Sequence, residues 1–220
     1  MKLFWTPASP FVRKVMVAAI EVGLDDQIDI HPTYWPHEWA THTVPFDPDF
    51  IAANPIGRIP ALITDDGVAL AESNWICSYL DSRLDKPRLF PFSGKAHWAM
   101  LSLLAIADGA IESMILRRAE TLRHPPGRSD DFIAKQRDRI ARCLDQIEIA
   151  VPTFRETAPD MRHISAAVGC GFMDFRYAQD DWRKGRPRLA HWYESFSQRP
   201  SMMRTAPGET PQHSPDKSER

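Results

Sequence analysis

Apolar and polar residues alternate in two different rhythms along this chain, and the rhythm changes near residue 86. Leu3-Phe4-Trp5 is a short apolar run ahead of Thr6-Pro7 and reads as a buried strand. Ser9-Pro10 then has the form of a helix start, with serine at the N-cap and proline at the first helical position. Val12, Val15, Met16, Ala19 and Val22 recur at helical spacing, and Gly23 closes the helix. Ile28-Asp29-Ile30 alternates as a second strand. Residues 31–50 are rich in Pro, Trp and His, and no regular element runs through them. Ala61 to Thr64, the turn Asp65-Asp66-Gly67, and Val68 to Ala71 form a β-hairpin pattern. Ser73 to Leu84 returns to helical spacing through Ile76, Tyr79, Leu80 and Leu84. Residues 86–91 break it and read as a linker.

Beyond the linker only helical patterns remain. Ala96 to about Leu122 is apolar on nearly every face in its first half, which predicts the centre of a bundle. Asp130 to Ala150 carries Ile133, Ile140, Leu144 and Ile147 on one stripe. Ser165 to Gln179 and Arg188 to Ser197 predict two shorter helices. Thr205 to Arg220 has no aliphatic side chain larger than alanine, so it reads as a disordered tail. The fold class is therefore an α/β unit over residues 1–85, the linker, and an all-α unit over residues 92–204.

Composition adds bounds. With 220 residues and 43% hydrophobic content, the chain forms a core without a metal or disulfide staple. The formal charge of −2 conceals −7 over residues 1–85, +6 over residues 86–204 and −1 in the tail. Cys77, Cys143 and Cys170 are odd in number and in no paired motif, which excludes a disulfide scaffold and fits a reducing, cytoplasmic setting. The longest unbroken apolar run is Val15 to Ile20, so no membrane association is expected.

Several candidate chemistries fail on spacing. His37 and His42 beside Glu38 are five apart, where a zinc-protease helix needs four, so no metal is expected. No glycine-rich phosphate cradle occurs. Arg137, Arg139, Arg142 and Lys135 alternate with Asp131 and Asp138 as a solvated helix face, not a nucleic-acid surface. Three stretches remain. Ser9 at a helix start is either a plain N-cap or a donor to an anion held by the helix dipole. The Ile59-Pro60 bond is either an ordinary trans proline or a cis one that exposes the Ile59 backbone to a peptide-like ligand. Glu72-Ser73 is either simple capping, with Ser73 as the cap, or a buried carboxylate and hydroxyl holding the charged end of an amino acid.

Together these stretches resemble the glutathione transferase family over nearly the whole folded chain. Met1 to Leu24, with Ser9-Pro10-Phe11-Val12-Arg13-Lys14, is similar to the first strand and helix of bacterial members. Asn54-Pro55-Ile56-Gly57-Arg58-Ile59-Pro60-Ala61-Leu62 resembles the family's N-P-x-G-[KR]-[VI]-P-x-L segment. Glu72-Ser73-Asn74-Trp75-Ile76-Cys77-Ser78-Tyr79-Leu80 resembles E-S-x-x-I-x-x-Y-L, and Trp192 to Pro207, through Arg199-Pro200-Ser201, resembles the family's C-terminal ending.

The resemblance implies a thioredoxin-like N-terminal domain that binds glutathione as co-substrate, followed by a helical domain. It implies that Ile59 pairs with the cysteinyl backbone beside a cis Pro60, that Glu72 and Ser73 hold the γ-glutamyl end, and that the sulfur lies near Ser9. Serine rather than cysteine at position 9 implies conjugation or substitution on a small hydrophobic electrophile, not thiol–disulfide chemistry. Phe11, Trp35, Met114 and Arg117 are the residues expected beside that electrophile, with Trp39 as a further aromatic. His37 and His42 are the candidates for the glycyl carboxylate. The resemblance also implies a homodimer joining the N-terminal unit of one chain to the helices of the other. A glutathione-binding member without turnover is the competing reading. One departure stands out. The helix expected from Ser165 has Val168 where the family's capping box has an acidic residue.

Overall fold

Leu3 and Phe4 are both fully buried, and they face opposite ways from β1 (Lys2–Trp5). That strand is interior to a four-stranded sheet of order β2-β1-β3-β4. The computed structural model describes residues 1–33, 47–90, 93–154 and 158–209. β2 (Asp29–Pro32) runs parallel to β1, pairing Leu3 with Ile30. β3 (Ala61–Ile63) runs antiparallel to β1, pairing Leu3 with Leu62, and β4 (Ala69–Ala71) completes the hairpin. Gly67 turns that hairpin at φ 84°, a backbone region where a side chain is strained. The crossover from β1 to β2 is α1 (Pro10–Val22), closed by Gly23 in the left-handed conformation. α1 and α3 (Ser73–Ser82) cover the Leu3–Leu62 face of the sheet. α2 (Pro48–Ala53) puts Phe50 against Phe4 and Ala61 on the other face. This is the thioredoxin-like arrangement expected for the N-terminal unit. α2 begins at the end of the stretch 31–50, where the pattern showed no element, and only Phe50 of its six residues is buried.

The helical unit contains α4 (Gly94–Thr121), α5 (Asp130–Ala150), α6 (Met161–Arg176), α7 (Pro187–Phe196) and α8 (Pro200–Arg204). Its centre is α6, not α4. Every residue from His163 to Met173 is buried, whereas Trp98 on α4 is largely exposed. α4 is nonetheless long and apolar enough to cross a membrane by length and composition. A search for unbroken apolar runs misses this because Ser102 and Asp108 interrupt it. Here Leu104, Ala107, Ala110, Ile111 and Met114 of α4 belong to the core shared with α5 and α6.

α6 also begins one turn earlier than its sequence pattern indicates. Asp160 is the N-cap, accepting from Arg162 N at 2.9 Å, and His163 Nδ1 lies 3.2 Å from Asp160 N and 2.8 Å from Asp160 Oδ1. The capping box is therefore Asp160 with His163, and the absence of an acid at Val168 costs nothing. Ser165 is inside the helix and gives its hydroxyl proton to Asp108.

The linker is pinned. Asp81, nearly without exposed surface, accepts from the backbone N–H of Arg88 (2.7 Å), Leu89 (2.9 Å) and Phe90 (3.0 Å), and Met161 N donates to Leu89 O at 3.1 Å. The start of the stretch read as a tail is also placed. Gly208 N donates to Pro7 O at 3.3 Å, and Glu209 pairs with Arg176. Residues 210–220, the rest of that stretch, lie outside the described residues.

Burial works against the Asp160 carboxylate, but the bonds from His163 and Arg162 outweigh it and hold its pKa down at about 2. An unfolded aspartate titrates near 3.9, so ionised Asp160 contributes stability that is complete above pH ~4 and lost as pH falls toward ~2. Asp160→Ala should lower stability by about 1–2 kcal/mol at neutral pH. In urea melts at decreasing pH the gap to wild type should close between pH ~4 and ~2, and a gap that stays constant would contradict this role.

Candidate functional site

The sheet register brings three turns to one end. Phe4 pairs with Ala61, and Ala61 pairs with Ala71. Just beyond this row β1 runs out toward Ser9, the chain enters β3 from Ile59-Pro60, and β4 runs out into Glu72.

Ser9 is the N-cap of α1, in extended conformation (φ −88°, ψ 122°), and its Oγ accepts from Val12 N at 3.3 Å. Used as an acceptor inside the chain, the hydroxyl keeps its own proton for a further partner. The first free N–H groups of α1 point the same way, and they favour negative charge. Phe11, half-buried, follows one position inside the helix, with Lys14 Nζ 5.3 Å from its ring centroid.

The Ile59–Pro60 bond is cis. The loop before it is shaped by Asn54, which is buried. Its amide donates to Arg58 O, its Oδ1 accepts from Ile56 N at 3.1 Å, and its carbonyl accepts from Gly57 N at 2.9 Å. Gly57 has φ 69°, a value that favours glycine. Among the described residues the Ile59 backbone N–H makes no hydrogen bond, so it is available at the sheet end.

Glu72 has φ 74°, one of only two non-glycine residues with positive φ among those described. A glutamate held there is strained, and such strain concentrates at functional positions. Glu72, not Ser73, is the N-cap of α3. Its Oε2 accepts from Asn74 N at 3.0 Å, and its Oε1 from Ser73 Oγ at 3.2 Å. Of the two alternatives for this pair, the ligand-holding one calls for a buried carboxylate; Glu72 is exposed, while Ser73 is buried.

Behind these turns is a group that periodicity alone did not single out. Lys14, with no exposed side-chain surface, places Nζ 2.9 and 3.0 Å from the Asp108 oxygens and 3.0 Å from Asn74 Oδ1. Asn74 Nδ2 donates to Asp108 Oδ2 at 2.7 Å, and Ser165 donates to the same carboxylate. Arg13, the next residue back, sends Nη2 to Met202 O at 3.1 Å. Gly171 makes room for it, since a Cβ there would stand 2.4 Å from Arg13 Nη1. The available signal was Arg13-Lys14 in an otherwise apolar stretch of α1, matched by Asp108, the first acid in the apolar run of α4.

Met114 and Arg117 are both buried in the helical unit. Met114 is fully buried, and its carbonyl accepts from Tyr177 Oη at 2.7 Å. Arg117 is buried against Asp180 and lies 4.1 Å over the Tyr177 ring. Both side chains are engaged with partners of the helical unit. Trp35, His37, Trp39 and His42 lie outside the described residues. Among those described, no group of three His, Cys, Asp or Glu is arranged to hold a metal. Burial raises the thiol pKa of Cys77 to about 12 and pushes those of Cys143 and Cys170 upward as well.

Comparison with known proteins places this geometry. Residues 8–83 match the family described as glutathione S-transferase, N-terminal domain. A glutathione transferase family member from Pseudomonas fluorescens Pf-5, solved with bound glutathione, is 37% identical, with a TM-score of 0.84 over 94% of this chain and 99% of its own. A second Pseudomonas fluorescens Pf-5 structure, also 37% identical, contains bound S-(propanoic acid)-glutathione. It aligns with a TM-score of 0.81 over 95% of this chain and all of its own. The GST-like protein YibF of Escherichia coli is 27% identical over 94% of this chain and 98% of its own. The chain belongs to the glutathione transferase family.

Because Lys14 and Asp108 are matched inside the protein, removing one partner leaves a buried charge. Lys14→Met should cost about 3–5 kcal/mol in urea unfolding, and adding Asp108→Leu should recover part of it. Equal midpoints for wild type and Lys14→Met would show that the pair does not stabilise the fold.

Proposed function

We propose that this protein is a glutathione transferase in which Ser9 donates its hydroxyl proton to the glutathione thiolate at the start of α1. The observation that carries this reading is the shared register row. It sets Ser9, the cis Ile59–Pro60 bond and the strained, exposed Glu72 beyond Phe4, Ala61 and Ala71, at one end of the sheet. Glutathione has three sets of groups to match them. Its cysteinyl backbone pairs with the free backbone of Ile59. Its γ-glutamyl ammonium faces the Glu72 carboxylate, and its γ-glutamyl carboxylate faces Ser73 and the α3 N-terminus. The sulfur then lies at the N-terminus of α1, where the dipole and the Ser9 hydroxyl both favour thiolate.

The thiolate attacks an electrophile held beside Phe11 and the helical domain. The new bond forms from sulfur to carbon, and the displaced electron pair leaves with the leaving group or moves to the adjacent carbon. The bound S-(propanoic acid)-glutathione of the Pseudomonas fluorescens relative supports sulfur-substituted glutathione as a ligand class for such a site. Exposed Trp75 on the N-terminal domain and exposed Trp98 on the helical domain support the expected homodimer, in which each domain meets the other domain of a second copy. Three unpaired cysteines support a reducing, cytoplasmic setting.

Ser9→Ala removes one charge-assisted hydrogen bond to sulfur. The thiol pKa of bound glutathione, followed by thiolate absorbance, should rise by about 1–2 units, and kcat/KM near neutral pH should fall roughly 10- to 100-fold. The rate–pH profile should move to higher pH with it, because less thiolate is present at any given pH. An unchanged thiol pKa would remove Ser9 from this role. Glutathione binding with no conversion of a broad electrophile panel would favour the non-catalytic reading.

A further inference from the structure

Arg176, in the last turn of α6, is a buried cation with an unusual counter-ion. Its side chain is 8% exposed and lies 3.8 Å over the Phe175 ring. Both terminal nitrogens meet the carboxylate of Glu209, whose side chain is 68% exposed, and Arg176 Nε is buried with no hydrogen-bond partner. A charge so far removed from water requires an anion. The one supplied sits in solvent on a C-terminal strand of chain, where an ion pair is worth little.

Two further observations connect this pair to the proposed site. Gly208 N donates to Pro7 O at 3.3 Å, so Glu209 follows a residue that rests on the loop leading into Ser9. Arg118, in the last turn of α4, feels the positive charge of Arg176 and the negative charge of Glu209, and burial holds its pKa below the usual value. One exposed carboxylate therefore pairs with Arg176 close to the loop that leads to Ser9, with Arg118 near enough to feel its charge.

We propose that Arg176, assisted by Arg118, recognises a carboxylate on the electrophile, and that Glu209 occupies this place until such a substrate displaces it. The proposal rests on the transferase reading and names its substrate class, electrophiles that carry a carboxylate, such as α,β-unsaturated acids. An ionised carboxylate makes the neighbouring double bond a poor acceptor, and the paired guanidinium offsets that charge. The thiolate forms a C–S bond to the β-carbon, the π pair moves to the α-carbon, and that carbon takes a proton from water. No oxidant or reductant is consumed.

The test compares binding of S-(2-carboxyethyl)glutathione with S-propylglutathione by calorimetry on the full chain, for wild type, Arg176→Gln and Glu209→Gln. Wild type should bind the carboxyethyl adduct about tenfold more tightly, the scale of one charge-assisted pair won in competition with Glu209. Arg176→Gln should lose that preference. Glu209→Gln, a change at an exposed side chain, should enlarge it several-fold and leave the S-propyl affinity unchanged. Equal affinities in wild type, or a preference unaffected by Glu209→Gln, would overturn the proposal even if Arg176→Gln fails to fold. Glutathione and both adducts failing to bind would overturn the transferase reading itself. Tight but indiscriminate binding of the adducts would overturn only the carboxylate assignment.

Discussion

A lysine ammonium with no exposed surface is the constraint around which both domains are assembled. Lys14 has three protons, and each finds an acceptor on Asn74 or Asp108 at 2.9–3.0 Å. These acceptors come from α3 and α4, and Ser165 of α6 completes the carboxylate's own shell. Four helices must therefore take one mutual arrangement for the charge to be satisfied, and any slipped packing leaves it unpaired in a low-dielectric interior. The same helices position the site. Ser9 caps α1 and Glu72 caps α3, so the ion pair helps to hold the two ends of the proposed glutathione cradle at a set distance.

Charge on a larger scale follows a related logic. The N-terminal 85 residues carry −7 and the helical unit +6, and this opposition meets inside a single chain. Arg199 pairs with Glu21 at 2.7 Å, and Arg204 with Asp25 at 2.6 Å, so α8 is bound to the far end of α1 and the turn after it. Arg58 of the N-terminal unit reaches Glu112 of α4 in the opposite polarity. Arg13 adds a neutral contact to Met202 O in α8, made possible by the bare backbone of Gly171. Asp81 then gathers three consecutive linker N–H groups, so residues 88–90 are tied to the end of α3.

Elements set by short-range patterns were readable from the chain. β1, α1, the hairpin and α3 follow from apolar spacing and from Ser-Pro and Asp-Gly punctuation, and the observed bounds lie within a few residues of the expected ones. The site stretches were readable because each is a local motif at a strand end. What was not readable depends on partners far away in sequence or on backbone geometry. Glu72 takes the capping role from Ser73 through a positive φ that no residue type announces. The start of α6 was misplaced because Asp160 and His163 form a capping box in which histidine stands where an acid or amide is usual. α6, not α4, is central because its glycines and alanines let neighbours approach closely, and small residues carry little periodic signal. Met114 illustrates the same limit. On a helix that is apolar all round, spacing cannot tell the cleft side from the core side.

The three cysteines acquire a chemical meaning from where the fold puts them. A protein that holds a thiolate beside an electrophile exposes its own sulfur atoms to the same reagent. Nucleophilic attack requires the thiolate form, and burial keeps Cys77 and Cys170 protonated and out of reach, with Cys143 shifted in the same direction. In the proposed reaction the reactive sulfur is the one that arrives with the co-substrate and departs with the product. Cys77 and Cys170 would thereby be shielded from the electrophile, and turnover would draw on the supply of glutathione instead of on the protein's own thiols.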